Sequence, residues 1–72
     1  MYMPGRFKYS QLVAVHVPDM QETKMLLKYN GQCHRVSGYK RHNSQMMYML
    51  EGCYGRDRVP YWFAEDWIRE LD

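Results

Sequence analysis

Apolar and polar positions alternate most cleanly in three places along the chain. Residues 12–17 (LVAVHV) are β-branched and closed by Pro18, with Val13, Val15 and Val17 on one face and Ala14 and His16 on the other. Residues 46–51 (MMYMLE) place Tyr48 and Leu50 on a core face and Met47 and Met49 on the opposite one. Residues 61–63 (YWF) form a third apolar run, followed by a single helical turn, Ala64-Glu65-Asp66-Trp67, and a short closing strand over 68–71. A weaker strand is predicted over 32–39 (QCHRVSGY), where Val36 and His34 share the inner face and Cys33, Arg35 and Ser37 face out. A polar tip near Asn43 (40–45, KRHNSQ) and a glycine-containing turn (52–60, GCYGRDRVP) separate these strands.

Residues 19–31 (DMQETKMLLKYNG) break the strand period. Asp19 stands three residues before Glu22, a capping-box spacing, and Asn30-Gly31 supplies a left-handed stop. Met25, Leu26 and Tyr29 fall on one side of a predicted helix of two to three turns. Its propensity is modest, so packing must hold it.

These elements predict a mostly β fold: a small SH3-like barrel of about five short strands, with one short helix between strands one and two. The domain spans 11–72, and residues 1–10 (MYMPGRFKYS) read as a loose arm from which Phe7 or Tyr9 can tuck against the barrel. Phe63 and Trp67 read as core and closing-turn residues, Trp62 less so because it alternates with Tyr61 and Phe63.

The runs Tyr29-Asn30-Gly31-Gln32, Tyr48-Met49-Leu50-Glu51 and Trp62-Phe63-Ala64-Glu65-Asp66-Trp67-Ile68 resemble those of small uncharacterised proteins of bacteriophages and prophages of Gram-positive bacteria. In that group a Y-x-L-E strand and a W-F-x-E-[ED]-W-[LI] ending close an SH3-like barrel. The resemblance covers residues 24–71 and implies the fold rather than an activity. The chain departs from it at Gln32, where a basic residue is usual, and in its valine-rich first strand and Tyr/Met-rich arm.

Charge sharpens the picture locally. The net charge of +2 is too small to imply a nucleic-acid partner. Yet residues 24–58 carry seven Lys and Arg against Glu51 and Asp57, and residues 59–72 carry four carboxylates against Arg69. The two cysteines, with no secretory leader and no apolar run long enough to span a membrane, suggest a soluble protein of the reducing bacterial cytoplasm.

Two kinds of chemistry are weighed and set aside. Cys33, His34, His42 and Cys53 lack the paired short spacings of a zinc site, so neither metal nor cofactor is expected, and a Cys33–Cys53 disulfide remains a redox-dependent alternative. Cys33 and His34 are adjacent on a strand and point to opposite faces, so they cannot form a dyad. No nucleophile elbow, phosphate loop or carboxylate pair is present, and no enzymatic activity is expected. Glu65 and Asp66 read as carboxylates stabilised at the start of a helical turn.

Two surfaces carry the functional expectation. Tyr39, Met47, Met49, Tyr54 and Trp62 are candidates for contact with a host or phage protein, because exposed Met and aromatic side chains suit adaptable interfaces. Arg35, Lys40, Arg41, Arg56 and Arg58 are candidates for nucleic acid, on the expectation that the two basic loops lie near one end of the barrel beside Tyr39 and Tyr54. The leading expectation is a non-enzymatic binding module of phage type that modulates or inhibits its target, with counter-defence one such role. The alternatives are a nucleic-acid-binding accessory protein and a homo-oligomeric structural protein, a homodimer with Met47 and Met49 buried between chains.

Overall fold

A computed structural model describes residues 5–71. Five antiparallel strands follow one another: β1 (Leu12–Val15), β2 (Cys33–His42), β3 (Gln45–Tyr54), β4 (Pro60–Ala64) and β5 (Ile68–Glu70). They pair in the order β4-β3-β2-β1-β5, so β2, β3 and β4 form a meander and the last strand returns to the first. This is a small SH3-like arrangement whose sheet is left unclosed between β4 and β5.

One long strand serves both halves of the sheet. Cys33, His34 and Arg35 of β2 pair with β1, whereas Val36 to His42 pair with β3. A register shift between Val36 and Gly38 bends β2 where it passes from one half to the other. The β2–β3 turn is tighter than the polar pattern suggests. The strands run to His42 and from Gln45, and Asn43 and Ser44 both adopt positive φ (50° and 65°), as a two-residue hairpin turn requires.

The inward positions are those the alternation predicts. Val13, Val15, Val17, Val36, Tyr48, Leu50 and Phe63 are all buried. Cys53 joins them, because the irregular register of β3 beyond Met49, with Gly52 at φ 87°, returns its side chain to the core. Ile68 is buried too, and Trp67 is half-buried against the cluster. Phe7 is 1% exposed and meets Tyr48 edge to face at 5.4 Å, whereas Tyr9 stays in solvent. Of the predicted arm, Met1, Tyr2, Met3 and Pro4 lie outside the described residues.

The segment between β1 and β2 is a nine-residue 3₁₀ helix, Gln21–Tyr29. Three residues per turn line up Thr23, Leu26 and Tyr29, the three buried side chains of the helix. Met25 was expected on that side but is 59% exposed, because it falls off a stripe with a period of three rather than 3.6. Capping also differs from the expected Asp19–Glu22 box. Met20 is the N-cap, and its N–H donates to Thr23 Oγ1 (3.0 Å) while the Thr23 hydroxyl donates to the carbonyl of Pro18.

Gly31 provides the left-handed stop at φ 84°, but Asn30 does something else. Its side-chain amide pairs with both backbone groups of Val17, accepting from N–H at 2.6 Å and donating to C=O at 3.1 Å. Asn30 thus extends the pairing to Val17, two residues past the end of β1, and satisfies backbone that Pro18 would otherwise leave unpaired.

Candidate functional site

The outer face of the β2–β3–β4 meander brings together Lys40, Met47, Met49 and Trp62 from the two predicted sets. Register places Met47 beside Lys40 and Ala64, and Met49 beside Gly38 and Trp62. Cross-strand neighbours share a face, so Lys40, Met47, Met49 and Trp62 all lie opposite the core side chains Tyr48 and Phe63. Met47, Met49 and Trp62 are half-buried, and the Met49 terminal methyl lies across Gly38. The Lys40 ammonium reaches over β3 to sit 4.3 Å from the centroid of the Trp62 ring. A cation on an indole face is held by the ring quadrupole, for about 0.5–1 kcal/mol at an exposed site. The 3₁₀ helix does not cover this face: Tyr29 packs on Tyr61 and Phe63, the inward residues of β4.

The other predicted contacts fall elsewhere. Tyr39 pairs with Tyr48 and so belongs to the inner face, where its ring projects past the end of the core at 43% exposure. Tyr54 lies at the far end of β3, and its carbonyl accepts from the Tyr29 hydroxyl at 3.5 Å. The expectation that the basic loops share one end is corrected by the topology. In a meander, successive turns lie at opposite ends of the shared strand. Lys40 and Arg41 pair with Met47 and Met46 near the β2–β3 turn, while Arg56 and Arg58 occupy the β3–β4 turn, roughly 25–30 Å away along β3. Arg41 faces inward from the hairpin opposite Met46. Arg35 lies on the outer face of β2, and its guanidinium donates to the Ser10 carbonyl at 2.9 Å.

Lys40 stands on a strand, on the outer face of β2, rather than in a loop tip. It was grouped with the basic loops, but the two-residue turn puts it on a strand, and the shift between Val36 and Gly38 turns it toward Met47 and Trp62. The polar composition around Asn43 hid this.

The thiols and the histidine between them are separated by burial. Cys33 is exposed and Cys53 fully buried, both as free thiols. Burial pushes the Cys53 thiol up to about 11, partly offset by Lys28. His34 sits between two oxygens, the Glu51 carbonyl and Gln32 Oε1, each at 2.8 Å, with its ring edge-on to Tyr29. Among the described residues no cluster of three metal-ligating side chains forms and no pocket opens.

A second polar feature ties the start of the described chain to β3 and to the 3₁₀ turn Glu65–Trp67. Glu65 Oε2 accepts from the Tyr48 hydroxyl (2.7 Å) and from the Arg6 N–H (2.9 Å), and the Phe7 N–H reaches the same hydroxyl at 3.4 Å. Burial, and then the bond to Glu65, push the Tyr48 phenol up to about 12. Gly5 passes so close that a Cβ there would collide with the Tyr48 hydroxyl and lie 2.8 Å from Glu65 Oε2.

Fold and face together define a small SH3-like β domain with a Met/Trp/Lys surface on which no pocket opens among the described residues. Comparison with protein-family models, curated proteins and solved structures gives no match. No helix among the described residues is long and apolar enough to cross a membrane.

Proposed function

We propose that the chain is a non-enzymatic binding module of phage or prophage type, which docks onto a host or phage protein in the bacterial cytoplasm and modulates or inhibits it. The observation that supports this reading is the outer face of β2–β4. There Met47, Met49 and Trp62 lie together on the side of the sheet away from the core, under the Lys40 ammonium. A face of Met and Trp beside a lysine, with no pocket among the described residues, suits a macromolecular partner better than a small molecule, which needs a concave site. Counter-defence is one role of this type.

A nucleic-acid-binding accessory role is the second reading. It draws on Lys40 and Trp62, where a cation and a ring share one surface as in single-strand binders. The separation of Arg56 and Arg58 from Lys40 and Arg41 weighs against a continuous phosphate track.

Capture from host lysate with tagged protein, with and without nuclease, tests the choice. The binding-module reading expects a discrete protein retained after nuclease treatment. Recovery of mainly nucleic acid, lost with nuclease and weakened steeply by salt, would replace it with the accessory role.

A further inference from the structure

The two edges of the open sheet are built differently. The β5 edge is three residues long and ends in the exposed charges Arg69 and Glu70, a common protection against strand addition. The β4 edge, Pro60–Ala64, is five residues long and carries no charge, and among the described residues no backbone group pairs with its outer side. Just outside its two ends stand opposite charges. Arg58 precedes β4 in the turn, and Asp66 follows it in the 3₁₀ turn Glu65–Trp67. Both are exposed and, among the described residues, neither forms an ion pair, whereas Glu65 is engaged by Tyr48 and the Arg6 N–H.

We propose that β4 pairs antiparallel with β4 of a second copy of this chain, giving a two-fold dimer with one continuous sheet. The only register that pairs all five residues places Trp62 opposite Trp62 on the axis, with Tyr61 opposite Phe63 and Pro60 opposite Ala64. Antiparallel pairing brings the start of one strand beside the end of the other. Arg58 of each copy therefore lies at the end occupied by Asp66 of its mate, and the two symmetric pairs match in charge. A parallel arrangement would instead put like charges together. Pairing also joins the two outer faces, with Trp62 of both copies at the centre of a doubled Met/Trp surface. The edge is short, so the dimer is weak, with a dissociation constant on the order of 10–100 μM.

Sedimentation equilibrium of the purified chain up to about 500 μM tests this without any partner, independently of the docking reading. The wild type is expected to approach the mass of two chains at the top of that range. Arg58→Asp and Asp66→Arg are each expected to weaken association about tenfold, and the double exchange to restore it. Position 58 has φ 59°, which Asp tolerates well, and position 66 is exposed, so both variants should melt with the wild type. A monomer throughout the range overturns the proposal. So does a dimer that both single variants leave unchanged, or one that the double exchange fails to restore.

Discussion

Replacing Phe7 with alanine removes a ring that is 1% exposed and packed edge to face on Tyr48. Truncating a fully buried Phe costs about 3–5 kcal/mol through lost transfer energy and the cavity left behind. The aromatic contact accounts for about 0.5–1.5 kcal/mol of interaction beyond area burial. A domain of this size holds only about 3–5 kcal/mol in total, so the variant should be largely unfolded at 25 °C or melt roughly 15–30 °C lower. Thermal and urea unfolding followed by circular dichroism would read this directly. Tyr9→Ala is the matched control, since Tyr9 is 66% exposed and its loss should change stability by less than about 0.5 kcal/mol. A Phe7→Ala protein that melts within a few degrees of the wild type would refute the placement of Phe7 in the core.

Other consequences follow from particular contacts. Asn30→Ala strips both backbone groups of Val17 of their partners and should cost about 1–3 kcal/mol, with faster hydrogen exchange at the Val17 amide. Gly5→Ala forces a methyl group into the Tyr48 hydroxyl and should cost about 1–3 kcal/mol in urea unfolding; an unchanged midpoint would mean that the chain at Gly5 does not pass there. Alkaline titration should show a fall in stability above pH 9. Cys53 and Tyr48 are held in their neutral forms, with pKa raised from 9.0 to about 11 and from 10.0 to about 12, so their stabilisation is complete below the unfolded values and is lost as pH rises through the folded ones. Each contributes about 2–3 kcal/mol that disappears over its window, and Cys53→Ala should abolish the earlier step alone.

The strands were legible because their side chains obey a period of two. Val13, Val15 and Val17 in one run, and Tyr48 and Leu50 in another, are buried as that period demands. The turn before the last strand was legible from Ala64-Glu65-Asp66-Trp67, and the structure closes it as a 3₁₀ turn over Glu65–Trp67. What local pattern could not supply was anything set by distant contacts. The helix takes a period of three because Thr23, Leu26 and Tyr29 must all reach the core, and no cap or propensity encodes that. Phe7 is held by Tyr48, 41 positions away in the chain, and its neighbour Arg6 by Glu65, 59 positions away. The candidate surface was half legible. Strand parity united Met47 and Met49, but Trp62 and Lys40 join them only through the registers of β3 with its two neighbours.

The measurement that tests the docking surface most directly compares paired substitutions on the face and at the distant turn in one capture experiment. Met47→Lys with Met49→Lys alters the outer face, and Arg56→Glu with Arg58→Glu alters the β3–β4 turn, with melting curves confirming that both proteins fold. The account predicts that the face variant loses the captured protein while the turn variant retains it. Retention by the face variant together with loss by the turn variant would contradict it.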